Sequence, residues 1–476
     1  MGWSLPEVPE KEQAPAWSPW FCLLIILIGL FIGLLVAVIK SPSDGLPSLD
    51  SGYWLPLTIR TFSGISLAIT VYSFWWETLA MRVWNWNEWC RSMRLMWRRR
   101  ANQHLVIISH VFISADTGLL SRLANTQGAD GAESPALTLF PEEPITPGIS
   151  RFEQLSCLLI SRMKPSLLRQ YPSGPLQIIV QTRGNDKIRE LQTFQRIWVA
   201  GCLPWKAEIH FQDAGLPFSE WNQFVAGAKR PILVLALHYR QPDDVLMEFA
   251  CALFLLPPSM LKVGEQKNAL RLFRAMPLNT SALTAELGEL KSMGLLPVEK
   301  KHLVWHSGLS DAPRQSISRA LNELSVPLDD GFGTGGIIDY GAVCARYGGL
   351  AGWAMIGAAA DMAAYGSTNH WLLLEEKHEA WAVTLGITAP VAGYDHFVIP
   401  SPFPAGSILM GLLLNAGLFS LVMRYFPSIT FFWSGIILLT LSLAVTLPGL
   451  AFMLRRITAR LQRPLFIRAA RQSEKD

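Results

Sequence analysis

Charge is scarce in this chain: Asp, Glu, Lys and Arg make up 16% of its 476 residues, while half of the residues are apolar. That balance excludes an ordinary soluble protein and places the apolar excess in membrane spans. Cysteine is sparse and scattered. The six residues Cys22, Cys90, Cys157, Cys202, Cys251 and Cys344 form no C-x-x-C and no metal-ligand spacing. No metal site and no redox motif is therefore expected, and a reducing compartment is in keeping with this usage. The net charge of +4 is concentrated in two short clusters beside apolar runs, which suits contact with anionic lipid and argues against nucleic acid as a partner. A dinucleotide site is not expected either. GFGTGG at 331–336 precedes an extended segment and lacks the strand-before, helix-after context and the acidic residue such a site needs, so it reads as a turn. No cofactor is implied.

Tryptophan, by contrast, is plentiful. Of the 18 present, Trp17, Trp20, Trp54, Trp75, Trp76, Trp84, Trp86 and Trp89 crowd next to apolar runs, where an amphipathic ring suits the headgroup zone. The run FCLLIILIGLFIGLLVAVIK at 21–40 carries no charge before Lys40 and crosses a hydrocarbon core of about 30 Å as a helix. It has no basic region before it and no A-x-A after it, so a cleaved signal peptide is not expected. A second span at 54–76 holds Arg60, whose long side chain can snorkel to the interface. Two more spans, at 405–423 and 429–454, are joined by RYFPS. Gly29 and Gly33 place a G-x-x-x-G in the first span, a pattern that lets helices approach closely, either in an oligomer or against the second span.

The segment RSMRLMWRRR has five Arg and no acid, and the tail from Arg455 has seven Lys or Arg against two acids. Positive residues favour the cytoplasmic side, so both termini and the large middle segment are expected there, in a multi-pass protein of a bacterial-type inner membrane. The expected organisation is a cytoplasmic N-terminal segment at 1–20, a transmembrane hairpin at 21–78, a basic juxtamembrane segment at 79–102, a cytoplasmic domain at 103–400, a second hairpin at 405–454 and a basic tail at 455–476.

Within 103–400 strand and helix patterns alternate. HLVIISHVFIS, LQIIVQT, AEIHF and PILVLALHY read as strands, with the further apolar run VLMEFACALFLLP after them; FEQLSCLLISRMKPSLL, a segment from Asp186 to Ala200 and PFSEWNQFVAGA read as helices. A second pass repeats this grammar: SALTAELGELKSMG as helix, HLVWH as strand, APRQSISRALNEL as helix with Asp311 as its N-cap, IIDY as a short extended piece, then the small-residue helix YGGLAGWAMIGAAADMAAYG and a hairpin of HWLLLEE with AWAVTLGI around Lys377 and His378. Such alternation argues for a three-layer α/β domain, duplicated, with halves at about 103–262 and 280–390. EEKHE at 375–379 could hold a metal, but a polar hairpin tip is its ordinary explanation.

The order of these elements, and above all WHSGLSDAPRQSISRALNEL followed by DYGAVCARYGGLAGWAMIGAAADMAAYG, resembles the C-terminal half of the thiolase and β-ketoacyl synthase superfamily. RPILVLALHYRQPDDVLMEFACALFLLP resembles the end of its N-terminal half. The resemblance implies a thiolase-like duplicated fold, pairing into a homodimer, and three catalytic elements: a Cys at a helix start, a His at a strand end and a second His or Asn. His306 stands at the position of the first histidine. Where the nucleophile belongs the chain has QDAGLPFSEWNQF, with Ser219 and no Cys, and ARYGGLAGWA has neither His nor Asn. Cys157 and Cys251 sit in apolar runs as small hydrophobes; Cys344, near a turn, and Ser219 are the remaining nucleophile candidates. A structural His306, hydrogen-bonded at the end of its strand, is the ordinary expectation beside a catalytic one.

With two of three elements missing, the resemblance implies a pseudoenzyme: a non-catalytic membrane-anchored scaffold or assembly factor for an inner-membrane machine with protein partners. In texture the chain is similar to accessory components of type VI secretion systems. The alternative is a membrane-tethered acyl-condensing or acyl-transfer enzyme acting on thioester or lipid substrates.

Overall fold

The computed structural model describes residues 2–3, 5–39, 51–116, 118–123, 138–140, 147–184, 186–212, 218–239, 246–262, 269–297, 299–309, 314–329, 335–341, 350–366, 369–376, 379–387, 400–425 and 433–473. They fall into two compact units, one of residues 1–4 and 95–394 and the other of 5–94 and 395–476.

The first unit is a mixed α/β structure built on one 11-stranded sheet. Its elements are β1 (His104–Ser114), α3 (Leu119–Leu123), α4 (Arg151–Gln170), β2 (Gly174–Thr182), α5 (Lys187–Ala200), β3 (Trp205–Gln212), α6 (Phe218–Gly227), β4 (Ile232–His238), β5 (Phe249–Leu256), β6 (Leu270–Phe273), β7 (Met276–Leu278), α7 (Leu283–Ser292), β8 (Leu303–Ser307), α8 (Arg314–Glu323), β9 (Ile337–Asp339), α9 (Ala351–Ala364), β10 (Asn369–Glu376) and β11 (Glu379–Gly386). Helix starts follow local chemistry. The Ser150 hydroxyl accepts the Glu153 N–H at 3.2 Å ahead of α4, and Asp186 accepts the Arg189 N–H at 3.0 Å ahead of α5. β4 and β5 are uninterrupted apolar runs and are buried along their whole length, as strands covered on both faces must be.

The strand order β3-β2-β4-β5-β1-β6-β11-β10-β8-β9 reads the same from either end once β6, β8, β9, β10 and β11 are matched to β1, β2, β3, β4 and β5. The pairings agree: β2 is parallel to β3 and β4 while β5 is antiparallel to β4 and β1, and β8 is parallel to β9 and β10 while β11 is antiparallel to β10 and β6. Two like halves therefore meet at the antiparallel pair of β1 and β6. β6 and β7 lie between the two segments that the sequence pattern assigns to halves, and β6 supplies the second half's inner strand. Side chains alternate across a strand. Accordingly Ser109 of β1 meets Met163 of α4, while its neighbour His110 meets Asp361 of α9, so helices cover both faces. The two halves also grip each other. Asn222 of α6 pairs both ways with the backbone of Ala275 at 2.8 Å, and Trp221 of α6 packs edge-on against Trp353 of α9 with centroids 5.5 Å apart.

The second unit contains α1 (Pro19–Ile39), most of α2 (Ser51–Ala101), α10 (Ala405–Tyr425) and α11 (Trp433–Ser473). All four helices are long and apolar enough to cross a membrane. α2 does not stop where its apolar run ends; at 51 residues it continues through the basic stretch, and at 1.5 Å per residue it measures about 77 Å. Two tryptophans of the aromatic set are tied to protein backbone: Trp76 donates to the Pro15 carbonyl at 2.7 Å and Trp86 to that of Pro9 at 3.0 Å. Asn87 holds the N–H and C=O of Lys11, both at 2.8 Å, so the segment before α1 is fastened along α2. Gly29 faces the Ile65 side chain and Gly33 faces Thr61, which brings α1 and α2 together along the G-x-x-x-G face.

Candidate functional site

In open α/β sheets ligands favour the carboxyl ends of strands, at the point where successive crossovers leave in opposite directions. In the second half that point lies between β8 and β10, and His306 stands beside it. Apolar β8 is buried throughout, with Trp305 directed to the opposite face and donating through Nε1 to His370 Nδ1 at 3.1 Å. His306 is registered directly against Asp339 of β9 and against Leu373 of β10. By strand alternation Glu375 of β10 shares its face. Gly308, at φ +72°, turns the chain out of β8 with its Cα against the Glu375 carbonyl; a Cβ there would lie 3.2 Å from that oxygen in a conformation L side chains rarely adopt.

His306 is 7% exposed. Its Nδ1 faces the Asp339 carboxyl group at 3.9 Å, within ion-pair range but beyond hydrogen-bonding distance, and its Nε2 has no hydrogen-bond partner among the described residues. Among the described residues, then, the ring has no hydrogen bond at Nε2. Burial pushes the imidazole pKa down; Asp339 opposes that and Arg314, at the start of α8, adds to it. Asp339 escaped the sequence reading, because in IIDY it looks like any polar residue ending a short strand. Only the register of β9 on β8 aligns it with His306.

The matching station in the first half is furnished differently. At the end of β2, Gln181 accepts from the Trp353 indole N–H, and Thr182 donates to Glu190 at 2.5 Å. The Tyr239 hydroxyl donates to the same carboxyl group, and burial followed by Glu190 raises its pKa. Here the Gln181, Thr182, Glu190 and Tyr239 side chains already have partners.

The sequence candidates are placed as follows. Ser219 lies in the first turn of α6, with its side chain outside the described residues. Cys344, the Asp311 cap, the first four residues of GFGTGG (331–334) and the hairpin tip at 377–378 also lie outside them. Cys157 is a correction: it belongs to an apolar run but occupies the outward face of α4 and is exposed, because the buried stripe of that helix passes through Leu155, Leu159 and Met163. Cys251 is buried beneath α9, with its sulfur 3.1 Å from where a Cβ on Gly357 would stand, and burial with Asp361 nearby raises its thiol pKa. Such a thiol is not a nucleophile. Among the described residues no three His, Cys, Asp or Glu side chains gather into a metal site.

No family model matches the chain. No curated protein matches it either. Among solved structures it is similar to a type II polyketide ketosynthase in complex with its acyl-carrier protein, at 9% identity over 60% of this chain and 99% of that one, with a TM-score of 0.41. Cerulenin-bound OleA of Xanthomonas campestris aligns at 11% identity over 60% and 97% with a TM-score of 0.34. The 3-oxoacyl-(acyl carrier protein) synthase III of Xanthomonas oryzae aligns at 11% over 60% and 99% with a TM-score of 0.30. The fold described above stands on its own strand order and register.

Proposed function

We propose that this chain is a membrane-tethered, thiolase-like protein whose α/β unit handles an acyl group, receiving the carbonyl of a thioester or lipid at the carboxyl ends of β8 and β10. The observation that carries this reading is His306, buried, faced by Asp339 on one ring nitrogen and, among the described residues, without a hydrogen bond on the other. A carboxylate on the Nδ1 side favours the tautomer with its proton there, leaving the Nε2 lone pair to accept a proton or a ligand hydrogen bond. Burial keeps the ring neutral near pH 7, the state a general base requires. The resemblance noted in the sequence supplies the substrate class. The α/β unit and both termini face the cytoplasm of a bacterial-type inner membrane on this reading.

The second reading is a non-catalytic scaffold within a membrane complex, type VI secretion included. It is favoured by the state of Cys251, sealed under α9 with its thiol pKa raised. Incubation of the full chain in nanodiscs with a labelled long-chain acyl-CoA separates the two. Saturable binding that His306→Gln weakens about tenfold or more, the order expected for a buried ligand hydrogen bond, supports acyl handling. Covalent acyl label on one residue would extend that reading to acyl transfer and expose the nucleophile. Neither binding nor labelling, together with defined membrane partners recovered by crosslinking in cells, would leave the scaffold.

A further inference from the structure

We infer that the groove between α1 and α2 binds one anionic phospholipid, with its phosphate on Arg60 and an acyl chain along the glycine-lined wall. α1 contains no charged residue, and Arg60 is the one charge in α2 between Ser51 and Trp76. At the centre of a span an Arg costs roughly 2.5–3.5 kcal/mol by insertion scales, and less toward its ends, so a guanidinium within the apolar stretch favours a counter-anion within its reach. Among the described residues Arg60 has neither a hydrogen-bond nor an ion-pair partner. The next acid along α2, Glu77, is about 25 Å away at 1.5 Å per residue and is held by Ser407.

The space beside Arg60 has the shape such a ligand needs. Gly29 and Gly33 draw α1 onto Ile65 and Thr61, yet nothing lies within 4 Å of where a Cβ on Gly64 would be. What remains is a cavity of about 740 Å³ lined by Ile28, Ile32, Leu57, Ile65 and Ala68, with Arg60 as its single charge. That volume lies within the range of about 300–1,000 Å³ usual for ligand sites. Depth agrees too. Arg60 comes nine residues after the start of α2, about 14 Å along the axis, and its long side chain can carry the guanidinium outward to a phosphate while the apolar wall continues inward. Lipid is therefore the occupant with both the charge and the tail.

This inference rests on the membrane reading, and the test separates the two. The full chain is reconstituted in nanodiscs of phosphatidylcholine containing phosphatidylglycerol, then extracted into mild detergent and examined by native mass spectrometry. The wild type should retain one phosphatidylglycerol about tenfold or more in preference to phosphatidylcholine. Arg60→Gln should abolish the preference, Arg60→Lys should keep it, and Gly64→Leu should lose the lipid while keeping the charge. Equal retention of the two lipids by the wild type, or a preference that survives Arg60→Gln but disappears when Arg455 and Arg456 are replaced by Gln, overturns the site and leaves the membrane reading standing. A chain that needs neither bilayer nor detergent overturns both.

Discussion

Replacing Glu77 by alanine should loosen α10 from α2. Glu77 and Ser407 are both fully buried, at 0% exposure. The Ser407 backbone N–H, one of the donors a helix start leaves open, reaches Glu77 Oε2 at 2.7 Å, and the Ser407 hydroxyl reaches Oε1 at 2.8 Å. A carboxyl group on one helix thus caps another that begins some 330 residues later in the chain. Glu77→Ala strands two buried donors, at about 1–3 kcal/mol each, so the loss should be roughly 2–6 kcal/mol before any cavity is counted. Glu77→Gln keeps one acceptor and should cost about half as much; Ser407→Ala removes one donor and should cost least, about 1 kcal/mol. Gly406 belongs to the same contact, since a Cβ there would lie 2.3 Å from the Phe74 Cα. Gly406→Ala must therefore push the helices apart and pull Ser407 off Glu77, with a loss at least as large as that of Glu77→Ala. The measurement is the midpoint of unfolding of the full chain in detergent, followed by tryptophan fluorescence, with a double-mutant cycle on Glu77→Gln and Ser407→Ala. Coupling between the two should be about 0.5–3 kcal/mol. Midpoints for Glu77→Ala and Gly406→Ala that match the wild type would refute the reasoning.

Stability should also depend on acid. His104, His302 and His306 all have imidazole pKa values lowered chiefly by burial, so below the ordinary value of 6.5 the unfolded chain takes up protons before the folded one. Above that value nothing is lost; as pH falls through 6.5 stability declines, and His302→Gln with His306→Gln should flatten the decline in denaturant titrations if both fold. Trp353→Phe removes the donor to Gln181 and should cost about 1–2 kcal/mol in the same titrations, whereas Tyr365→Phe, on an 80% exposed ring, should cost under about 0.5 kcal/mol. Alkaline phosphatase fused after residue 101 or at residue 476 should be inactive and a cytoplasmic reporter active, and the reverse pattern would invert the proposed topology.

Local pattern made much of this protein legible. The apolar lengths of α1, α10 and the first part of α2 are set by residues adjacent in the chain, as are the unbroken runs of β4 and β5 and the capping of α5 by Asp186. β6 was hidden for an equally local reason: four residues long, it carries Arg271, whose burial is made possible by the Ala269 and Ile387 carbonyls, the second of them 116 residues away. A charged residue in so short a run does not look like an inner strand until its distant acceptor is known. The outward turn of Cys157 was missed because an apolar run does not say which of its members lies off the buried stripe.

The candidate site shows the same division. That His306 ends an apolar strand beside a glycine turn is written in HLVWHSG and follows from hydropathy alone. Its register against Asp339 and the contrast with the hydrogen-bonded Gln181 are matters of strand pairing, as the Glu77 clasp is of helix packing. The sequence by itself determined four apolar helices, the alternation of strand and helix and the identity of the histidine, because those depend on neighbours within a few residues. The tertiary structure alone decided which groups face that histidine and how Glu77 is held, because such contacts join residues far apart in the chain.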